Sequence, residues 1–149
     1  MSVPYMFDSD AKGPPALSDI LAKEKGASIA MDAIMRSESL VRAISGDSAD
    51  FAQGLTLLLP TNKAFLALSD IPDDIDLVMK RHFIPQAVTP QAMEQGTTVF
   101  AYQRSAALRF TSSQGRVYVQ ADKRAPTAVH GAGVQAGTGA YFLVDELFV

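Results

Sequence analysis

His82 and His130 are the only imidazoles available for acid–base or metal chemistry in this 149-residue sequence. A metal site built on several histidines therefore needs carboxylates to complete it. Asp73, Asp74 and Asp76 form the cluster best placed to supply them. All three fall where a helix should begin, and carboxylates there are stabilised by the positive end of the helix dipole, so a structural role is the simpler reading. His82 stands where that helix should end, just before Pro85. A histidine at such a junction suits a buried, hydrogen-bonded tie better than a general base.

Other chemistry finds little material. There is no cysteine, which removes disulfides, thiolate metal sites and cysteine nucleophiles, and no Gly-x-Ser-x-Gly elbow to expose a serine. Gly131-Ala-Gly-Val-Gln-Ala fits the loose dinucleotide pattern, but that pattern needs a strand before it and a long helix after it, and more glycines and a strand follow here. Lys80-Arg81 and Lys123-Arg124 could contact anions, although short basic pairs usually mark a solvated face. Met31 and Met35 are one helical turn apart and read as core. Phe100, Tyr102, Phe110 and Tyr118 could line an apolar groove, although cross-strand core pairing explains such residues more simply.

The totals bound the remaining choices. One domain of this length can bury about 70% of its unfolded surface in a single core. The formal net charge of −3 argues against nucleic acid, which requires excess Lys and Arg to displace counterions. No apolar run approaches the length of a membrane span. The opening residues, MSVPYMFDSDAKGPP, lack the basic flank and apolar stretch of a secretion signal, as expected for an intracellular protein or a processed form. Asn62 is the only asparagine and is followed by Lys-Ala, so no N-glycosylation acceptor is present.

Positioning these side chains requires a defined order of elements. Residues 1–16 read as a polar N-terminal arm and 17–149 as one domain. Ser18 is placed to cap a short helix that ends near Gly26, and Ser37-Glu38-Ser39 to divide the helical stretch beginning at Ser28. In LTLLLPTNKAF, residues 55–65, the run Leu55–Leu59 reads as a strand buried on both faces. Pro60 ends its pairing, and Thr61 or Asn62 caps the helix that follows. A second helix, carried by Ile75, Val78, Met79 and Phe83, runs to Pro85, and a short one opens at Thr89-Pro90 and ends at Gly96. Strands are predicted at 97–103, 106–112, 116–121 and 141–144, with Gly-rich residues 131–139 leading into the last. Helices first and strands later indicate an α+β domain.

Three stretches give the chain a resemblance to the fasciclin-type (FAS1) domain family, from about Leu17 to Leu147. LTLLLPTNKAF resembles the family's first signature, centred here on Pro60, Thr61 and Asn62. LVMKRHFIPQAV, residues 77–88, resembles the second, a helix ending at a histidine, here His82. GTGAYFLVDELF, residues 137–148, resembles the closing Asn-Gly-plus-strand segment, with Gly139 at its glycine and Asp145 at its aspartate. The resemblance implies a compact β-sandwich-like core with several N-terminal and central helices packed on it. It also implies a non-catalytic adhesion or interaction module at a cell surface or in a matrix, binding a protein or glycan. No cofactor, metal site, nucleic-acid partner or direct membrane insertion is expected for this chain.

The resemblance places partner contacts at Arg81, His82, Gly133 and Val134, and the chain departs from the family pattern at three of these and at Thr138. Arg81 stands where the family often has Tyr before its histidine, Gly133-Val134 where it has Asp-Ile, and Thr138 where Asn precedes the glycine. Animal-type integrin contact is therefore not expected. Arg81 instead suits a carboxylate or sulfate, which its guanidinium can meet with two parallel hydrogen bonds. The alternative function is a carrier that holds a small apolar ligand between helices and sheet.

Overall fold

The computed structural model describes residues 17–68, 70, 72–136 and 139–148. The expected N-terminal arm, the turn residue Ile71 and Thr138 lie outside these. The helices are α1 (Leu17–Leu21), α2 (Ser28–Met35), α3 (Glu38–Ile44), α4 (Asn62–Leu66), α5 (Ile75–Lys80) and α6 (Pro90–Gln95). The strands are β1 (Leu55–Pro60), β2 (Phe83–Ile84), β3 (Thr97–Phe100), β4 (Ala107–Ser113), β5 (Arg116–Ala121), β6 (Thr127–Ala136) and β7 (Gly139–Val144).

The strands form one seven-stranded sheet in the order β2-β1-β7-β6-β5-β4-β3. Among the described residues only β1 and β7 run parallel, with Leu57 opposite Tyr141 and Pro60 opposite Val144; the other pairs are antiparallel. The mixed α+β architecture is the one expected, and its sheet curls into a nearly closed barrel-like form. β6 joins the two halves. Its first residues pair with β5 and the rest with β7, across a register shift between His130 and Val134.

Alternation along β1 makes two cores from one strand. Leu55, Leu57 and Leu59 pack against the helices with Ile34, Leu40, Ile44, Val78 and Tyr141. Leu58 points the other way, joining Ile84, Leu108, Phe110, Val119, Phe142, Val144 and Phe148 inside the curled sheet. Leu57, Leu58 and Leu59 are fully buried, each contributing roughly 2 kcal/mol of transfer free energy. The strand is thus buried on both faces, as its unbroken apolar run predicts.

Several boundaries differ from expectation. α1 begins at Leu17, so Ser18 lies inside it, and the helix stops at Leu21 as the backbone tightens into Lys23 N–H to Ile20 and Glu24 N–H to Leu21 bonds. α5 stops at Lys80 because the chain is captured by β1: Leu58 donates its N–H to His82 O at 2.9 Å, and Phe83 pairs with Leu57. β3 ends at Phe100, after which Gln103 and Arg104 take positive φ in a tight turn closed by Ala101 N–H to Ala106 O. The largest difference is β6, which occupies most of the stretch read as a Gly-rich lead-in. The division of α2 from α3 at Ser37 and the Thr89 cap, whose hydroxyl accepts Ala92 N–H at 3.1 Å, agree with the sequence reading.

Candidate functional site: a closing latch and a basic pocket

The chain closes on two polar ties. The first surrounds Asp145, immediately after β7. Thr61 donates its backbone N–H to Val144 O at 2.8 Å and its hydroxyl to Asp145 Oδ1 at 2.6 Å. His130 Nε2 meets the other carboxylate oxygen at 2.8 Å. The Thr61 hydroxyl bond holds the Asp145 carboxyl below its ordinary pKa, against partial burial and with help from His130 and the Lys63 charge.

The expected caps of α4 therefore do other work. Thr61 makes no side-chain cap bond to α4, its hydroxyl being committed to Asp145. Asn62 Oδ1 accepts Ile29 N–H at 3.0 Å, in the first turn of α2, and its Nδ2 donates to Ser28 Oγ at 3.2 Å. Asn62 thus caps α2 across the fold. Pro60-Thr61-Asn62 binds strand, helix layer and chain closure together.

The second tie is His82, completely buried. A carbonyl oxygen only accepts, so the 3.0 Å contact with Leu58 O assigns the ring proton to Nδ1. Nε2 is then free to accept Phe148 N–H, at 3.1 Å. Burial lowers the pKa from 6.5 to about 3; the Leu58 bond opposes this, and the Arg81 and Arg124 charges add to it. The imidazole is neutral, with both nitrogens committed. It ties its helix not to Thr61 and Asn62 but to the middle of β1 and to the closing segment, because β1 and Phe148 reach its ring first.

Arg81 completes the grip on Phe148, donating from Nη1 to Phe148 O at 2.9 Å. The side chain read as a partner contact is partly structural. The remainder of its guanidinium faces a cavity of about 590 Å³ lined by Arg81, Ala121, Asp122, Lys123, Arg124 and Phe148. Arg81 from the first basic pair and both residues of the second, Lys123 and Arg124, thus meet at one place. Each pair alone reads as a solvated face, and only the β5–β6 turn brings the second beside the end of α5.

Gly133 and Val134 lie elsewhere, on β6, where Val134 pairs with Tyr141 and is 42% exposed. Among the described residues no hydrogen bond joins them to Arg81 or His82. Gly133 has φ +87°, and a Cβ there would fall 2.8 Å from Phe142 Cζ. An aspartate cannot occupy this position unless Phe142 moves. Gly139 is also tightly packed, its would-be Cβ lying 3.1 Å from Leu17 Cδ2.

The aromatic groove does not form. Phe110 is buried inside the curled sheet, whereas Tyr102 packs on Phe51 in the helical core and donates its hydroxyl to Asp50 Oδ2 at 2.7 Å. Phe100 is 48% exposed under the Arg104 guanidinium, 4.7 Å from its ring centre. Asp74 precedes α5 without a side-chain cap bond. Among the described residues no three metal-ligating side chains converge.

Helices laid over one parallel strand pair of a curled, otherwise antiparallel sheet, with the segment after β7 held through Asp145 and by His82, define a compact scaffold module. The chain belongs to the fasciclin-domain family, whose model, described as Fasciclin domain, matches residues 26–149. No curated protein sequence matches it. Its fold is similar to that in the solved structure titled "Novel Fold Revealed by the Structure of a FAS1 Domain Pair from the Insect Cell Adhesion Molecule Fasciclin I", with a TM-score of 0.65 and 19% identity. The match covers 83% of this chain and 45% of that one, so the chain spans less than half the length of its structural relative. Fasciclin domains are known from adhesion modules that are generally non-enzymatic and typically extracellular or at the cell surface. No helix among the described residues is long and apolar enough to cross a membrane.

Proposed function

We propose that this chain is a non-catalytic adhesion or interaction module that binds a protein or glycan at a cell surface or in a matrix. One observation carries the non-catalytic part. The hydroxyl, carboxylate and imidazole of Thr61, Asp145 and His130 are joined with the carboxylate in the middle. The Thr61 hydroxyl is therefore tied to the carboxylate and the imidazole does not reach it, so the nucleophile–imidazole–carboxylate order of a hydrolytic triad is not formed. Family membership supports the adhesive part. The carrier reading loses its support because Phe100, Tyr102 and Phe110 lie in three different environments.

Immobilised protein should retain cells or matrix fragments and show no turnover of generic ester, peptide or glycoside substrates. Retention should persist in chelator, because Gly133-Val134 offers no carboxylate to a metal in a partner's site. Turnover abolished by Asp145→Asn, or the absence of retention on every surface tested, would overturn the reading. Chelator-sensitive integrin adhesion would overturn its partner component.

A further inference from the structure

We propose that the pocket between the end of α5 and the β5–β6 turn binds the carboxylate groups of an acidic polysaccharide, through Arg81 and Lys123 with Arg124 beside them. This deepens the interaction-module reading and rests on it.

The pocket combines separate positive charges with a fixed frame. Among the described residues Arg81 is held through Nη1 alone, by Phe148 O, so its orientation is set while four further N–H donors remain on the planar fork. A guanidinium oriented in advance loses less freedom on meeting a planar carboxylate than a mobile one. Lys123 is exposed at the turn, and among the described residues it has no hydrogen-bond or ion-pair partner. Asp122 fixes that turn: its backbone N–H donates to Ala107 O at 2.8 Å and its Oδ1 accepts Ala107 N–H at 2.9 Å, at φ +52°. The cavity, about 590 Å³, has room for one or two sugar rings beside the hydrocarbon of Ala121 and Phe148.

The choice of ligand follows from the charge around the pocket. The chain carries 13 Lys and Arg against 16 Asp and Glu, and Asp122 places a carboxylate in the pocket wall itself. A local positive site on an acidic molecule suits a polymer with about one charge per sugar. A dense polyanion would bring many charges within a Debye length of the acidic surface and be repelled. The planar fork of Arg81 matches a carboxylate, which favours uronate over sulfate ester.

The test titrates the intact protein with oligogalacturonate, dextran sulfate, neutral dextran, poly-glutamate and duplex DNA. Oligogalacturonate should bind with an affinity that falls as salt rises, and neutral dextran should not bind. Lys123→Glu touches no internal bond, so it should leave the melting curve unchanged while weakening binding about tenfold. Arg81→Lys, which keeps the charge but loses the fork, should weaken it to a similar degree. The proposal is overturned if oligogalacturonate does not bind, if Lys123→Glu binds it as wild type does, or if poly-glutamate, dextran sulfate or DNA binds as tightly. Cell or matrix retention that survives Lys123→Glu would leave the module reading standing and the pocket alone refuted.

Discussion

The ring of His82 lies flat against that of Phe148, with centroids 4.1 Å apart and planes within 8° of parallel, while its Nε2 accepts the N–H of the same residue. Arg81, the preceding residue, takes the Phe148 carbonyl. Two neighbouring side chains thus hold both main-chain groups of a residue 66 and 67 positions away, and the histidine also packs on its side chain. A short segment at the end of the domain is fixed in this way without any further strand.

Removing that grip should be costly. His82→Ala deprives the buried Leu58 carbonyl and Phe148 N–H of their partners and leaves a cavity beneath the Phe148 ring. The expected loss is about 3 kcal/mol or more. Urea denaturation midpoints measure it directly, and a loss below about 1 kcal/mol would contradict the assigned bonds.

Acid should destabilise the protein through the same residue. The unfolded chain protonates His82 near its ordinary value of 6.5, whereas the folded chain does so only at about 3. Throughout that window the unfolded state binds more protons, so stability falls as pH drops, with a slope approaching about 1.4 kcal/mol per pH unit. Asp145 acts in the same direction at lower pH: its contribution is present above 3.8 and is lost as pH falls through its depressed folded value. The difference in stability between wild type and His82→Gln, measured at pH 7, 5.5 and 4, should shrink as pH falls. A constant difference would show that His82 is not held neutral.

The Pro60-Thr61-Asn62 turn should respond to substitutions through distant elements. Thr61→Val loses the hydroxyl bond to Asp145 and should cost about 1 kcal/mol, while Thr61→Ser should recover most of it. Asn62→Ala should cost a similar amount, about 1 kcal/mol, through the first turn of α2. Amide exchange locates the latter effect, with faster exchange at Ile29 expected and faster exchange confined to α4 counting against it.

Two glycines with similar backbone angles should differ in tolerance. Gly115 has φ +80° with open space around it, whereas Gly133 has φ +87° with Phe142 inside contact distance. Gly115→Ala should cost about 1 kcal/mol from backbone strain alone. Gly133→Ala adds the clash and should cost at least about 2 kcal/mol. Equal thermal shifts for the two variants would count against the packing at Phe142.

The sequence by itself determined the parts that rest on local chemistry. The apolar run Leu55–Leu59 demanded burial on both faces, Ser37 broke the helical stretch, Thr89-Pro90 opened a helix, and the missing cysteine and serine elbow excluded whole reaction classes. The burial of His82 was also legible, because a histidine between an apolar helix face and an apolar turn has nowhere polar to go. Tertiary structure decided what those residues touch. The β6 strand was illegible because Gly131 and Gly133 carry no strand propensity; the pairs His130–Leu143 and Val134–Tyr141, on either side of the register shift, hold it to β7. Thr61 and Asn62 have the side chains of local caps, yet Asp145, 84 residues from Thr61, and Ile29, 33 residues from Asn62, outcompete the local N–H groups. Arg81 and Lys123 look like isolated surface charges until the curled sheet carries the β5–β6 turn to the end of α5. Such bonds depend on distance in space, and spacing along the chain encodes that distance only within a single helix or strand.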